Sequence, residues 1–463
     1  YNVFNQMSNI SNNERESMHG LWSSRLTFIL AVTGSAIGLG NIWKFPYVAG
    51  ANGGGAFVLV YLICILVIGF PIMVSEILIG RKGRRNPITS MQLLGTEETG
   101  SQSWKVVGFI GLFAGFLILS YYSVIAGWTL HYFTLSLTGD FTELNTEKVN
   151  LLFSELTSSI STQAIFHTLF MVMTIIIIAR GIKNGLEKAV KFMMPALLFI
   201  MVILLIYSIT QGDFAKGVDF LLKPDFSKIT AESILAAMGQ AFFTLSLGMG
   251  CIVMYGAYLP KNESIVKTSL TIIFCDTLIA LLAGLVIFPI VFDNNLAPTD
   301  GPGLIFLTLP LAFSDITGGI LFGSLFFILL GFAAITSAIS LLEPSVAWMI
   351  ETQKIKRTTS AIIIGSVIWL LGFLTILSFN DLSDFTFWKG TIFDNFDYLA
   401  SNILLPISGL LFTIFASWFM TKSSSRLELS DVSPTTYAIW KFLARVVAPI
   451  GVIIIFLNAI NIV

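Results

Sequence analysis

The chain is 463 residues long, 55% hydrophobic and only 11% charged, against roughly 25% charged residues in soluble domains; this excludes a soluble globular protein and leaves a multi-spanning membrane protein. A formal net charge of -1, with Lys and Arg spread through short loops rather than gathered in one patch, excludes a nucleic-acid partner. Cys64, Cys251 and Cys275 all fall inside apolar runs, so neither a disulfide framework nor a cysteine metal site is expected.

A helix needs about 20 mostly apolar residues to cross the hydrocarbon core. The polar first twenty residues lack the charged start and apolar centre of a signal peptide, and windows that qualify fall near 24–50, 56–80, 105–138, 164–180, 186–211, 231–258, 265–292, 318–350, 361–379, 395–420 and 436–462, eleven in all. With the N-terminus in the cytoplasm, basic residues cluster in the inner loops, as at Arg81, Lys82, Arg84 and Arg85. The outer loops hold only Lys148, Lys216, Lys223, Lys228 and Lys389. That bias predicts a multi-pass protein of the cell membrane with its N-terminus cytoplasmic and its C-terminus extracellular.

The first window is interrupted. From Gly34 to Tyr47, GSAIGLGNIWKFPY sets glycines, an asparagine, a lysine and a proline at mid-span. Irregular chain at that depth survives only where it is buried in protein or lines a polar cavity, because hydrocarbon cannot satisfy its backbone groups; the stretch reads as a broken helix built around a ligand. After the second window, RKGRRNPITSMQLL reads either as a surface-lying amphipathic turn or as a plain positive-inside anchor. The outer connection around 139–163, with GDFTELNTEKVN, reads as a solvated cap. The sixth window repeats the first anomaly: AFFTLSLGMG, residues 241–250, places Ser, Thr and paired glycines mid-span. The outer connection around 293–317 contains APTDGPGLIFLTLP, apolar but too short to cross and bracketed by Pro and Gly, which predicts a re-entrant loop.

Windows one to five and six to ten thus each begin with an interrupted helix. Five being odd, the halves must lie upside down relative to each other, the pattern of inverted-repeat transporters with a midplane site. The predicted fold is all-α and polytopic, with about eleven transmembrane helices. A cytoplasmic tail (1–20) precedes a first five-helix repeat (21–211), a second inverted repeat (212–421) and an extra C-terminal helix (422–463).

Ionisable residues inside spans are expensive and point to function; here they are Lys44, Glu76, Asp276, Glu343 and Asp397. Lys44 and Asp397, near the outer ends of spans one and ten, either pair to close the outer mouth or snorkel to the interface. Glu76 is placed to accept hydrogen bonds from amides that a broken helix leaves free. The carbonyls of Gly34, Ala36 and Ile37, the side chains of Asn41, Thr244 and Asp276 and the hydroxyls of Thr336 and Ser337 are hard oxygen donors suited to a group-one or group-two cation. Taken singly, each hydroxyl also has a plainer reading, a bond back to its own helix. GSAIG is in addition a G-x-x-x-G packing match. No phosphate-binding loop, nucleophile elbow or H-E-x-x-H motif is present, and His19, His131 and His167 are far apart, so catalysis is not expected.

The segments WSSRL at 22–26, GSAIGLGNIWKFPY, ANGGGAF at 51–57, SYYSVIAGW at 120–128, AFFTLSLGMG and FAAITSAIS together resemble the neurotransmitter:sodium symporter family, in its bacterial amino-acid-transporting branch with eleven spans. The resemblance implies a sodium-coupled amino-acid symporter with two sodium sites. The first is formed by Ala36, Asn41, Thr244 and Asp276, with the substrate carboxylate; the second by Gly34, Ile37, Ala333, Thr336 and Ser337. It places the substrate carboxylate on the amides of Leu39 and Gly40 and the hydroxyl of Tyr122. The amino group goes to Ala36, Phe243, Thr244 and Ser246, and the side chain to Ile118, Tyr122, Phe243, Met249, Ser337 and Leu341.

It further implies that Tyr122 and Phe243 form an outer lid, with Lys44 and Asp397 as the outer gate, where familiar members carry arginine at the Lys44 position. At the inner gate the family's arginine corresponds to His19 and its acidic partner to Glu351, with Arg15 as a possible substitute. Met249, unbranched and adaptable, replaces a family phenylalanine and favours large apolar or aromatic substrates. Gly185 and Pro195 resemble a family Gly-X9-Pro pattern that lets the inner turn of span five unwind. Chloride-dependent animal relatives have asparagine and serine where this chain has Asp276 and Ala280, so no chloride requirement is expected. Alternatives on the same fold are a proton-coupled permease and a substrate sensor that completes no transport. No protein partner is indicated.

Overall fold

The structure, a computed structural model, describes residues 15–142, 144–294, 296, 304–315 and 317–459. It is helical throughout, with no strand among the described residues beyond one isolated bridge between Phe387 and Gly390. In chain order the helices are α1 (Arg25–Ala36), α2 (Gly40–Ala51), α3 (Gly55–Gly83), α4 (Pro87–Thr99), α5 (Gln102–Thr138), α6 (Thr146–Ser158), α7 (Ile160–Ala179), α8 (Ile182–Gln211) and α9 (Phe214–Leu222). They continue with α10 (Ala231–Thr244), α11 (Cys251–Ala257), α12 (Ile265–Asp293), α13 (Leu304–Ser314), α14 (Gly319–Gln353), α15 (Arg357–Ser378), α16 (Ile392–Phe419), α17 (Lys422–Glu428) and α18 (Pro434–Asn458).

Among the described residues nine helices are long and apolar enough to cross a membrane, and α1 with α2, bent by 53°, make a tenth span. The expected span at 231–258 forms as two short helices, α10 and α11, neither of which crosses alone. Between them Ser246, Gly248 and Gly250 have φ of 53°, 76° and 74°, a left-handed backbone that no α-helix continues through.

Helix α14 packs along α5, α1 lies against α14, α8 and α12, and α11 packs on α3. Both broken helices therefore end up inside a wall of unbroken ones. The outermost helices turn apolar residues outward: Ile165, Leu169, Val172 and Ile176 on α7, and Leu198, Val202, Ile206 and Ile209 on α8, are exposed at three- or four-residue spacing. An apolar stripe facing away from the core is the reverse of a soluble helix and suits contact with lipid.

The stretch RKGRRNPITSMQLL is more than an anchor. Asn86 caps α4 by accepting from the amides of Ile88 and Thr89, and Pro87 takes the first helical position, where its missing N–H costs nothing. Arg81 and Arg84 are buried and donate to backbone carbonyls of Glu263, Ala257 and Leu259. Of the expected re-entrant segment, residues 297–303 lie outside the described residues. The remainder begins α13, whose buried Phe306 packs edge-on against Trp43, Trp128 and Tyr132. The outer connection at 139–163 carries α6, started by an Asn145 cap on the amide of Lys148.

Candidate functional site

Helix α1 stops at Ala36 because Ile37 turns extended, with ψ of 100°. The free backbone groups beyond it are taken up locally: Asn41 Oδ1 accepts from the Gly38 amide at 3.2 Å, and the Gly40 carbonyl accepts from Gln240 Nε2 at 2.8 Å. The second break is held by Glu76, whose Oε1 accepts from the Gly248 amide at 2.7 Å, the role its position in the sequence predicts.

Where the two breaks meet lies a small cavity of about 30 Å³. Ala36, Leu39, Gly40, Ile118, Tyr122, Phe243, Ser246, Met249, Ser337 and Leu341 all line it. Thr244, expected among them, does not. Its hydroxyl turns instead to Asp276, 3.3 Å from Oδ1 and 3.2 Å from Oδ2. Two residues not anticipated, Ser35 and Gly38, complete the wall. The Tyr122 hydroxyl accepts from the Leu39 amide at 3.5 Å, which sets phenol and broken backbone side by side at one end, while Ile118, Met249 and Leu341 make the lining beyond it apolar.

Beside the cavity, Asn41 Nδ2 donates to Asp276 Oδ1 at 2.8 Å and to its carbonyl at 3.3 Å. Asn41, Thr244 and Asp276 are buried, and among the described residues no Lys or Arg pairs with Asp276. A buried carboxylate without a counter-charge is costly, and a monovalent cation on an all-oxygen donor set is the compensation this chemistry suits; the residues fit sodium. At the second expected site Thr336 bonds back to its own helix, donating to the Ala333 carbonyl at 3.0 Å, whereas Ser337 reaches across to the Ser35 and Ile37 carbonyls at 3.1 and 3.4 Å. Gly34 sits on this seam, where an added Cβ would lie 3.3 Å from Thr336 Cβ and 3.0 Å from Met194 Sδ. Both hydroxyls keep lone pairs after donating, so back-bonding and cation binding are compatible.

The expected outer pair is open. Lys44 Nζ lies 4.3 Å over the Phe243 ring, and Asp397 Oδ1 accepts from Tyr121 and Ser401 at 3.0 Å each. Tyr121 is a partner that sequence reasoning missed, since a tyrosine beside Tyr122 reads as core. Above Phe243 opens a larger cavity of about 340 Å³, lined by Lys44, Glu232, Asn402 and Phe243 itself; Phe243 borders both spaces and is the partition between them. At the expected inner gate His19 donates from Nε2 to Glu351 Oε1 at 2.9 Å, and Asn86 adds two more donors to the same carboxylate. Arg15 does not stand in for His19; it pairs with Glu97.

The profile of the sodium:neurotransmitter symporter family matches residues 19–151 and 145–463. Similar curated proteins are the uncharacterized sodium-dependent transporter YhdH of Bacillus subtilis, 38% identical over 95% of this chain and 98% of that protein, and an uncharacterized sodium-dependent transporter of Haemophilus influenzae, 37% identical over 94% and 97%. Among solved structures, the crystal structure of MhsT in complex with L-phenylalanine superposes with a TM-score of 0.87 at 42% identity, covering 96% of this chain and 100% of that one.

Proposed function

The chain belongs to the sodium:neurotransmitter symporter family, a family of sodium-dependent transporters rather than enzymes, and on that premise we propose that it imports hydrophobic and aromatic amino acids together with sodium, by alternating access and without chloride. The observation that carries this reading is the junction of two broken helices, which sets an apolar-ended cavity beside the buried cluster of Asn41, Thr244 and Asp276, a carboxylate that no Lys or Arg among the described residues pairs with. The similar MhsT structure is a complex with L-phenylalanine, which agrees with the apolar lining by Ile118, Met249 and Leu341.

Two sodium ions are proposed, one at Ala36, Asn41, Thr244 and Asp276, the other at Gly34, Ile37, Ala333, Thr336 and Ser337. A bound ion would supply positive charge that the substrate carboxylate shares, so ion and substrate strengthen each other's binding reciprocally. The chain's own parts then divide the work. The Leu39 and Gly40 amides with Tyr122 hold the carboxylate. Phe243 excludes water from above, and His19 with Glu351 keeps the inner face shut. The two five-helix repeats (21–211 and 212–421) move past each other in this scheme, with the N-terminus cytoplasmic and the C-terminus outside. In proteoliposomes, uptake of phenylalanine or leucine is expected to fall about ten-fold or more when potassium replaces sodium, within the range of a coupling free energy of about 1–3 kcal/mol. Uptake driven by a proton gradient alone, or competition won by glycine or glutamate, would refute the reading.

The inner turn of α8 offers a second test. Ile182–Leu186 forms one wide turn that runs into the helix containing Pro195, so the segment is wound here. Pro195 leaves the Lys191 carbonyl without its helical donor. Replacing it with alanine removes a helix penalty of about 3 kcal/mol and should slow turnover about ten-fold by making the turn harder to unwind. Sodium-dependent binding measured in detergent should stay near native; lost binding would refute the assignment. Gly185 cannot serve in the same test, because any Cβ there would overlap the Ile177 carbonyl.

A further inference from the structure

Four serines tie the two breaks to α14: Ser35, Ser246 and Ser337 line the cavity, Ser340 does not, and only Ser246 and Ser337 are among the proposed ligands. Ser35 Oγ donates to Ser340 Oγ at 2.7 Å, and Ser340 Oγ donates to the Ser337 carbonyl at 2.7 Å. The Ser35 carbonyl in turn accepts from Ser246 Oγ at 2.9 Å and from Ser337 Oγ at 3.1 Å. All four are buried, Ser35 and Ser340 almost completely. They come from three separate stretches of chain: the last turn of α1, the break before α11 and the middle of α14.

A hydroxyl has one hydrogen and two lone pairs. The Ser35 carbonyl takes the hydrogen of Ser246, and the one hydrogen of Ser337 goes to the Ser35 carbonyl at 3.1 Å with the Ile37 carbonyl at 3.4 Å as its longer alternative, so each of those oxygens can offer only lone pairs to anything in the cavity. Lone pairs receive a cation or an ammonium group and repel a carboxylate, so the placement of one carbonyl sets the polarity of two ligand-facing hydroxyls. That carbonyl is held by its own residue's side chain through Ser340, which does not line the cavity. Ser246 needs such an anchor, since its left-handed φ of 53° is unfavourable for a serine.

From this geometry we infer that Ser35 and Ser340 are positioning residues for cation and substrate binding. The Ser340 hydroxyl fixes Ser35, and the Ser35 carbonyl aims the lone pairs of Ser337 at the second sodium and those of Ser246 at the substrate ammonium. The inference rests on the proposed sodium and substrate sites. It adds a coupling between them that neither site shows alone: loosening Ser35 disturbs both at once.

The test is a double-mutant cycle on the full-length protein in detergent, with Ser340→Ala, Ser35→Ala and the pair, read by equilibrium binding of radiolabelled sodium and of L-phenylalanine. Each single variant is expected to weaken both ligands by about three- to ten-fold, the effect of one hydrogen bond, with the thermal midpoint near native. The pair should be no worse than the weaker single variant, because either change breaks the same link. Ser340→Thr, which keeps the hydroxyl, should recover most of the loss. A merely structural serine would lower the thermal midpoint and leave sodium affinity alone. Additive losses, or sodium affinity unchanged in Ser340→Ala, overturn the inference while native sodium binding stands; native protein that binds no sodium overturns the proposed function itself.

Discussion

Replacing chloride with gluconate is expected to leave uptake by the native protein unchanged, whereas Asp276→Asn weakens sodium binding by about a hundred-fold or more, since a unit charge about 4 Å from a cation is worth about 4 kcal/mol at an effective dielectric near 20. Asp276 is fully buried on α12, and among the described residues the groups that bond its carboxylate are Asn41 and Thr244, both neutral. The charge it brings is therefore available to a cation and to nothing else nearby. A mobile anion in the same place would be redundant and, by like-charge repulsion, unfavourable. Ala280, one turn further along α12 and also buried, has no hydroxyl with which to hold an anion. Asp276→Asn combined with Ala280→Ser is the variant in which a chloride requirement is expected to emerge. Native uptake that collapses in gluconate would sink the argument.

The parts of this site that stand out in the sequence are those whose residue types are expensive in a membrane. Asn41 and Asp276 in apolar runs, and the glycines around Asn41, have no cheap explanation, and the structure brings both Asn41 and Thr244 within hydrogen-bonding distance of Asp276. Glu76 is legible for the same reason, because a buried carboxylate needs donors and a broken helix has spare amides. Ser35 and Ser340 were illegible because a serine in a membrane helix normally satisfies itself on its own turn, and nothing local says that these two point at each other from positions far apart in the chain. The outer pair illustrates another limit. Lys44 and Asp397 have the charges of a gate, but charge alone does not name a partner, and here Lys44 lies over the Phe243 ring while Asp397 accepts from the Tyr121 and Ser401 hydroxyls. The sixth span, by contrast, is legible: the Ser, Thr and paired glycines of residues 241–250 mark an interruption, and the left-handed residues Ser246, Gly248 and Gly250 split the helix there.

Gly38→Ala should weaken sodium-dependent substrate binding by about five- to a hundred-fold, because overfilling a packed site typically costs about 1–3 kcal/mol. In G-S-A-I-G the second glycine reads as half of a helix-packing motif, and in part it is: the pair Gly34 and Gly38 lets the broken helix approach α14 closely. At Gly38, however, the space a methyl would enter belongs to the site. An added Cβ would lie 2.5 Å from Ser337 Oγ and 3.1 Å from the Tyr122 hydroxyl. Ser337 is too short to swing clear without giving up its bonds to the Ser35 and Ile37 carbonyls, and Tyr122 would be pushed off the Leu39 amide. One methyl thus displaces a proposed sodium ligand and a proposed carboxylate ligand together. Gly239→Ala is the matching control, since a Cβ there meets nothing within 4 Å and α10 gains helix propensity; its binding should be native. Measuring sodium and substrate affinity separately distinguishes the outcomes. Loss of both ligands in Gly38→Ala with an unchanged thermal midpoint fits displacement of Ser337 and Tyr122, whereas near-native binding of both would refute the claim that a methyl at Gly38 displaces them.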